Sequence, residues 1–578
     1  MIVKNLNWKI GGPAGYGIMS AGLIFSRTFS RSGYNVIDGN EYPSLIQGGH
    51  NTYTVRASSE EIFSLSRELN IMAALDSHSI TIHNDEITPG GYIIYDAANI
   101  DMEKGVEKRK NISYFDLPIK EMTESIDAPE IVRNNVALGS SIAFTNIGFE
   151  SLKEAVEDNF SSKGEKVVGQ NVKAAELGYK YTREKLGRMP FSLQKVKNGR
   201  SLLLTGNDAV FLGGVRSGCK FYVAYPMTPA SSILHSFASV ENDRNIIVKH
   251  AESELAVVNM AIGASYAGAR SMLATSGGGF ALMNEGLSAA AMTETPLVMV
   301  LSQRPAPATG LPTWTEQGDL LFAVHAAHGE FLRVVMAPGD PEEAFYMTGE
   351  AFNLAEKYQI PVIIMMDKYL SESHFTYKDL DQSRIGADRG KLICDDKGLP
   401  KDYKRYKFTE DGISPRAVPG LENGLYIANT DEHDEYGFSD DSALNRKNMM
   451  EKRFNKINEL VKEIPEPERY GPENAKVNIW SWGSCKGPIL EAMNMLNGNK
   501  NMINLTHFKY LYPFRSDYFE KHFDSENENI VIENNKTAQF GKLIKMFTGK
   551  SIKTEFLKYS GRQFLPDEIA SSIEKIVS

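Results

Sequence analysis

The sequence predicts an α/β protein built from several domains with largely parallel sheets. Short apolar runs typical of buried strands alternate along the chain with stretches of helical length, and this alternation is the pattern of βαβ units. The chain has 578 residues, which is enough for two to four domains. Its 42% hydrophobic and 24% charged residues are normal for a globular protein.

The first predicted domain covers residues 1–190. Strand-like runs lie at 7–10, 35–37, 51–55, 70–75 and 91–95, with helical stretches such as 18–30 between them. This order predicts a parallel sheet. The basic stretch 178–200 lacks strand character and is predicted to be a helix end followed by a linker.

Two further α/β domains are predicted. Residues 201–385 carry apolar runs typical of buried parallel strands, at 221–224, 246–248, 271–274, 297–301 and 361–366. The polar segment 386–470 is predicted to be a long, loop-rich connection. Residues 475–578 form the last domain, with strands expected at 477–482, 501–506 and 529–533.

Composition excludes several classes of function. The net charge of −10 argues against non-specific binding to nucleic acid or to anionic membranes. No apolar run approaches the roughly 18 residues of a membrane span, and the N-terminus leads into a strand-like pattern without a signal peptide, so we expect a cytoplasmic protein. The cysteines, Cys219, Cys394 and Cys485, are too few to hold an iron–sulfur cluster and show no disulfide or zinc spacing, so no metal ligands are predicted.

The run YPMTPASS, from Tyr225 to Ser232, predicts a buried strand that ends in a turn and restarts as a helix. Thr228 and Ser231 would then stand beside free backbone N–H groups, where an anion binds well. The alternative is an ordinary strand–turn–helix in which a Ser or Thr is the N-cap.

Glycines in the run GGPAGYG, residues 11–17, would let the backbone approach a phosphate at a helix start. A tight turn is the alternative, and the spacing is not that of a nicotinamide-dinucleotide loop. The candidate residues are Gly11, Gly12, Gly15 and Gly17.

The run EYPSLIQGGHN, residues 41–51, predicts a constrained loop that carries Glu41, Gln47, His50 and Asn51. It serves either a structural purpose or contact with a ligand or another subunit.

The stretch 251–287 predicts a helix that Glu252 and Glu254 open, then a strand, then a glycine-rich turn. Acidic residues in a first helical turn commonly interact only with the helix dipole. The turn that contains Ser276 and Gly277 exposes bare backbone, so a ligand could approach it there. Glu285 follows on the next helix.

Arg304 leaves the end of the predicted strand 297–301 and enters a loop rich in Pro and Gly. A guanidinium grips a carboxylate with two parallel hydrogen bonds, although a structural salt bridge is the alternative. Thr228, Thr275 and Arg304 all fall at the carboxyl ends of predicted strands of one sheet, where ligands of open α/β sheets bind.

These motifs together resemble the 2-oxoacid:ferredoxin oxidoreductases, in the form of an α subunit with a γ domain fused at its N-terminus. The resemblance is carried, in order along the chain, by EYPSLIQGGHN, YPMTPASS, the stretch 252–287, RPAPATGLPTWTEQGDL, DEHDEYG (Asp431 to Gly437), WSWGSCKGPILEAM and ENNKTAQFGKLI. It implies a γ-type domain over 1–190, a pyrimidine-type domain for thiamine diphosphate over 201–385, and a transketolase-C-like domain over 475–578.

The resemblance also implies a reaction and its residues. A 2-oxoacid is decarboxylated on thiamine diphosphate, the acyl group passes to coenzyme A, and electrons reach ferredoxin. By similarity, Glu254 contacts the aminopyrimidine of the cofactor, while Thr228 and Arg304, with Ser231, hold the substrate carboxylate. Tyr225, Pro226, Ser276 and Gly277 are the further cofactor contacts, and the N-terminal glycines with His50 are candidates for contact with coenzyme A or a subunit.

The GDG motif that holds the magnesium diphosphate in this family is absent from the chain. The resemblance therefore implies that a β subunit brings Mg²⁺, the diphosphate site and a 4Fe–4S cluster, in an (αβ)2 assembly. Two alternatives are a non-catalytic assembly subunit and half of another thiamine enzyme, such as a transketolase or decarboxylase. The layout favours 2-oxoglutarate or several 2-oxoacids as substrate.

Overall fold

The computed structural model describes residues 2–45, 48–102, 107–196, 199–496 and 503–577. The chain divides into two compact units. One contains Met1–Thr205, Glu372–Leu380 and Leu565–Lys575, and the other contains Gly206–Ser371, Asp381–Phe564 and Ile576–Ser578. Within the described residues, no helix has both the length and the apolar character needed to cross a membrane.

The strands follow one another along the chain in this order: β1 Ile2–Val3, β2 Asn5–Pro13, β3 Asn35–Glu41, β4 His50–Ser58, β5 Leu69–Ala74, β6 Ile87–Tyr95, β7 Ser113–Asp116, β8 Ser192–Leu193, β9 Leu202–Thr205, β10 Phe221–Ala224, β11 Ile247–His250, β12 Ser271–Thr275, β13 Leu297–Gln303, β14 Val334–Met336, β15 Pro361–Asp367, β16 His374–Tyr377, β17 Leu392–Ile393, β18 Arg416–Ala417, β19 Glu468–Tyr470, β20 Val477–Trp482, β21 Ile503–Phe508, β22 Tyr510–Tyr512, β23 Glu528–Glu533 and β24 Thr554–Leu557.

The α-helices are α1 Ile18–Arg31, α2 Ser77–His83, α3 Ile119–Ser125, α4 Arg133–Ala143, α5 Phe149–Phe160, α6 Glu165–Leu186, α7 Gly206–Arg216, α8 Ser231–Ser239, α9 Glu241–Arg244, α10 Glu254–Tyr266, α11 Gly277–Leu282, α12 Asn284–Met292, α13 Leu320–His325, α14 Pro341–Tyr358, α15 Lys368–Glu372, α16 Ala443–Asn455, α17 Ile457–Glu463, α18 Lys486–Met495, α19 Ser516–His522, α20 Gln539–Thr548 and α21 Pro566–Val577. Short 3-10 turns lie at Asn84–Glu86, Glu130–Val132, Ser161–Lys163, Gln382–Arg384, Asp396–Gly398 and Gly483–Cys485.

The sheet of the first unit has the order β7-β6-β5-β2-β4-β3-β16-β9. Its β2, β5, β6 and β7 pair in parallel, as predicted, but β4 runs antiparallel to both β2 and β3. The prediction of a parallel sheet was therefore wrong for β3 and β4. The physical reason is the connection between β3 and β4, which spans only residues 42–49 and is too short for a crossover helix, and strands joined without a crossover pair antiparallel.

The stretch 178–200 also differs from its prediction, because the two residues of β8 pair with β1. A two-residue strand has too little sequence to show a pattern.

The second unit holds two large sheets and the short parallel pair of β17 and β18. The larger has the order β11-β10-β12-β13-β15-β14-β22 and is parallel except for β22. The other has the order β19-β21-β20-β23-β24 and is parallel except for β19. The strands predicted from apolar runs in residues 201–385 and 475–578 are all present, although residues 501 and 502 lie outside the described part of the chain. One core that includes Leu273, Met299, Trp480 and Phe508 joins the two sheets.

The segment predicted to be loop-rich contains the helices α16 and α17. The polar composition of the segment did not indicate these helices, because α16 buries charged side chains as well as apolar ones. Lys452 and Lys456, one turn apart, each place Nζ 2.5 Å from a carboxylate oxygen of the buried Glu294. Loss of one partner from such a buried ion pair strongly destabilises a protein, because the remaining charge is left buried without compensation.

Helices α4 and α6 of the first unit pack backbone to backbone. A Cβ added at Gly139 or Gly178 would overlap a main-chain carbonyl of the facing helix. Gly169, also on α6, faces open space.

We expect Gly139→Ala to destabilise this helix pair by about 1–3 kcal/mol, because the added methyl group overpacks a contact that cannot relax cheaply. Gly169→Ala is the matched control and should leave stability unchanged or raise it slightly, since Ala has the higher helix propensity. Amide hydrogen exchange of α4 and α6 measures both effects. Equal protection in the two variants would contradict the packing described.

Candidate active site

The carboxyl ends of β10, β12 and β13 lie side by side. Strand β10 pairs in parallel with β12, where Phe221 lies opposite Ser271. Strand β12 pairs in parallel with β13, where Thr275 lies opposite Leu301. The residues that follow these strands, including Thr228, Ser276 and Arg304, therefore meet at one edge of the sheet, where α/β proteins bind ligands.

The YPMTPASS run leaves this edge as a turn. Tyr225 and Pro226 are exposed, Thr228 is half-buried, and Ser231 is the first residue of α8. The N-cap of α8 is Ala230, which has no side-chain capping bond. Neither Thr228 nor Ser231 is thus used as a helix cap.

Arg304 reaches across the edge to this turn, where its Nη1 donates a 2.7 Å hydrogen bond to the main-chain carbonyl of Thr228. The bond uses one of the five N–H donors of the guanidinium. Burial lowers the pKa of Arg304, and the nearby Asp319 carboxylate opposes that change. The structure thus joins Thr228 and Arg304, with the Thr228 carbonyl as acceptor.

Glu254 begins α10. The cap of that helix is Ser253, whose hydroxyl accepts a bond from the backbone N–H of Ala256, and Glu252 is exposed outside the helix. The side chain of Glu254 is 4% exposed, and its Oε1 accepts no hydrogen bond from any described residue. A Cβ at Gly279 would lie 2.6 Å from this oxygen. The carboxylate is therefore held against the glycine turn with an unused acceptor.

Two more buried polar atoms at this edge have no hydrogen-bond partner among the described residues: Ser276 Oγ and Asp319 Oδ2. A Cβ at Gly277 would lie 2.6 Å from Asp319 Oδ2. Buried polar atoms are nearly always hydrogen-bonded, so a cluster of unsatisfied ones indicates a binding site.

The loop after β13 adds two carboxyls that the sequence did not single out. Burial raises the pKa of Asp319 to about 6, against the influence of Arg304. Burial and the charge of Asp319 raise the pKa of Glu316 to about 7. In the sequence, Glu316 and Asp319 are indicated by the TEQGD run that follows Arg304. Only the fold shows that this run lies beside the guanidinium.

The N-terminal candidate residues belong to the first unit. Gly11 and Gly12 lie inside β2, while Gly15 and Gly17 form the turn that follows, and Gly17 caps α1 in a left-handed conformation. His50 begins β4, and its Nε2 lies 2.9 Å from Nε2 of His83. Burial and His83 lower the pKa of His50 to about 4. Gln47 lies outside the described residues.

The DEHDEYG run is held by ion pairs. Arg446 and Arg453 both reach Glu432, with N–O distances of 2.6 and 2.7 Å. Across the described ranges, no group of three or more His, Cys, Asp or Glu side chains is arranged to hold a metal ion.

Two family models match the chain. The model for pyruvate flavodoxin/ferredoxin oxidoreductase, thiamine diphosphate-binding, covers residues 213–452, and the model for pyruvate ferredoxin/flavodoxin oxidoreductase covers residues 7–181. The alpha subunit of 2-oxoacid:ferredoxin oxidoreductase 2 from Aeropyrum pernix is 34% identical over 98% of this chain and 97% of its own length.

The chain belongs to the 2-oxoacid:ferredoxin oxidoreductase family.

Further relatives agree with this membership. The 2-oxoglutarate synthase subunit KorA of Methanothermobacter thermautotrophicus is 30% identical over 64% of this chain and 98% of its own length. A solved structure of 2-oxoglutarate:ferredoxin oxidoreductase from Magnetococcus marinus, with 2-oxoglutarate, coenzyme A and succinyl-CoA bound, superposes with a TM-score of 0.92. It is 33% identical and covers 100% of both chains. The predicted family and the α/β fold class are confirmed.

The edge of the second unit suits thiamine diphosphate, the cofactor named by the family model that matches residues 213–452. Glu254 Oε1 is a buried acceptor with no donor in the part of the chain that the structure describes, and the aminopyrimidine carries N–H groups that would donate to it. The open backbone at Gly278, where a Cβ would contact nothing within 4 Å, leaves room for a ring to approach.

We expect Gly279→Ala to weaken binding of thiamine diphosphate by at least about tenfold, because the new methyl group overlaps Thr275 Oγ1 and the Glu254 carboxylate and displaces them at a cost of about 1–3 kcal/mol. Gly263→Ala lies on α10, the helix that Glu254 begins, faces open space, and serves as the control. Calorimetric titration of the complex purified through a tag on this chain measures both. Equal weakening in the two variants would contradict the position given to Glu254.

Proposed function

We propose that this chain is the α subunit, with a fused N-terminal γ-type domain, of a coenzyme A-dependent 2-oxoacid:ferredoxin oxidoreductase. The enzyme converts a 2-oxoacid, either 2-oxoglutarate or several 2-oxoacids, to acyl-CoA and CO2 and passes two electrons to ferredoxin. The observation that carries the proposal is the buried Oε1 of Glu254, which has no hydrogen-bond partner among the described residues and lies at the sheet edge that also holds Arg304.

Glu254 would hold the aminopyrimidine of thiamine diphosphate through Oε1. When bound, this cofactor supplies the carbon nucleophile and the electron sink that decarboxylation of a 2-oxoacid requires. The rigid start of α10 and the glycine turn fix the position of the carboxylate, so Glu254 can accept or return a proton at that oxygen without moving. Ser276, Gly277, Tyr225 and Pro226 are the further cofactor contacts we propose.

Arg304 and Thr228 would bind the substrate carboxylate, with Ser231 beside them. Four N–H donors of Arg304 remain beyond the one that bonds the Thr228 carbonyl. That bond orients the guanidinium, so the substrate meets a donor that is already placed. The carboxylate leaves as CO2, and catalysis therefore needs a grip that does not over-stabilise the bound substrate.

A partner chain would complete the site. Leu255, Met260 and Leu282 are 52%, 41% and 50% exposed on α10 and α11, beside the buried Glu254. An apolar surface next to a catalytic carboxylate suits a subunit contact. We assign the Mg²⁺–diphosphate site and a 4Fe–4S cluster to this β subunit, in an (αβ)2 assembly that delivers electrons to ferredoxin.

The γ-type domain, residues 1–190, is proposed to contact coenzyme A or a neighbouring subunit through Gly15, Gly17 and His50, with Gly11 and Gly12 shaping the strand end. A Cβ at Gly11 would lie 2.8 Å from Ser79 Oγ and 3.3 Å from His50 Cε1, so the glycine leaves room for both side chains. The pyrimidine-type domain covers 201–385 and the transketolase-C-like domain 475–578, joined by 386–470.

We expect Glu254→Gln to lower kcat by about 100-fold or more, because glutamine fills the same space but cannot exchange a proton. Glu252→Gln is the control, since that carboxylate is exposed two residues away. The assay is 2-oxoacid-dependent reduction of a viologen dye by the complex purified through a tag on this chain, across a panel of 2-oxoacids. Unchanged activity in Glu254→Gln would remove the role given to this residue, and no activity in the native complex would favour a non-catalytic subunit.

A further inference from the structure

The loop that follows Arg304 is fixed by buried hydrogen bonds. Gln317 is fully buried, its Nε2 donates to the Trp482 carbonyl at 3.2 Å, and its Oε1 accepts from the backbone N–H of Asn534 at 2.9 Å. Thr315 donates from Oγ1 to Asp367 Oδ1 at 3.2 Å. The end of this loop therefore has a defined position, and so does Asp319.

Asp319 is the N-cap residue of α13, but its side chain makes no capping bond. Its backbone N–H donates to Gln303 Oε1 at 3.0 Å, and its carboxylate lies instead against Gly277. The residue is 9% exposed, and Oδ2 has no hydrogen-bond partner in the described parts of the chain. The Asp319 carboxylate therefore does not cap α13 and lies instead at the sheet edge that also carries Arg304.

Arg304, which follows the end of β13, is the charged group that acts on this carboxyl and opposes the effect of burial. The Asp319 charge in turn raises the pKa of Glu316 on the same loop. The glycine turn packed against Asp319 and the bonded Gln303 carry no charge. The net charge beside Arg304 therefore depends on whether the two carboxyls hold protons.

We propose that the Glu316–Asp319 pair takes up a proton from solvent when the carboxylate of the 2-oxoacid binds to Arg304, and so sets the affinity for substrate. The proposal rests on the function proposed above. A bound anion raises the pKa of a neighbouring carboxyl because like charges repel. Since the pKa values of the free site are about 6 for Asp319 and about 7 for Glu316, the uptake occurs between these values and the raised values of the bound site, and it is absent at lower pH.

The sign of the pH dependence follows from linkage. Above about pH 6 the free site is increasingly ionised, so binding costs the free energy of protonating it, and KM should rise by up to about tenfold per pH unit. We expect KM to be nearly constant below that range. The turnover number kcat need not follow, because the effect concerns binding of the ground state.

The test compares wild type, Asp319→Asn and the double variant Glu316→Gln/Asp319→Asn in the complex purified through a tag on this chain. KM and kcat for 2-oxoglutarate, or for pyruvate if that is the better substrate, are measured by dye reduction from pH 5.5 to 8.5. We expect a flat KM in the double variant, and about tenfold tighter binding than wild type at pH 8 in Asp319→Asn. Glu520→Gln, which removes an exposed carboxylate, should keep the wild-type profile.

A purely structural role for the pair would lower activity at every pH and leave the slope of KM unchanged, and that result overturns the proposal. Proton uptake in the wild-type complex gives an independent reading if a variant does not fold. Titration with 2-hydroxyglutarate, or lactate for a pyruvate enzyme, in two buffers of different ionisation enthalpy should show uptake of close to one proton at pH 7.5. Binding without uptake overturns the proposal, whereas a complex that turns over no 2-oxoacid overturns the function itself.

Discussion

The parallel register of β10, β12 and β13 is the constraint on which the rest of the site depends. Three neighbouring strands that end at one edge bring together residues distant in sequence, because each is followed by a turn that carries one functional group. Arg304 then reaches the Thr228 carbonyl, and the turn after β12 lies against both Glu254 and Asp319. A slip of one residue in either pairing would displace the groups on one side of that pairing relative to those on the other.

This edge lowers the stability of the unit. Glu254 Oε1, Ser276 Oγ and Asp319 Oδ2 are buried without partners in the described structure, and each such atom costs about 1–3 kcal/mol. The surrounding fold offsets the cost through the apolar core that the two sheets share. Binding of cofactor and substrate would supply the missing hydrogen bonds. The unfavourable buried polar atoms therefore lie where a ligand can satisfy them.

Much of this arrangement could be predicted from the sequence. The buried strands of the second unit are apolar runs bounded by turns, and the position of Arg304 after β13 follows from them. The antiparallel pairing of β3 and β4 could not, since it depends on a short connection rather than on strand pattern. The sequence pattern did not indicate helix α16, because its buried face carries Lys452 and its C-cap is the buried Lys456. Asp319 and Gly279 were missed because their importance lies in distances between segments that only the fold brings together.

The central claim is that this chain carries the aminopyrimidine and substrate half of a thiamine site, which a second chain completes. The most direct test is calorimetric titration of thiamine diphosphate and Mg²⁺ into the isolated chain and into the assembled complex. The account predicts one site for each copy of this chain in the complex and binding at least about 100-fold weaker to the chain alone, because the diphosphate holds most of the ligand charge. Equal affinity in the two samples would contradict it.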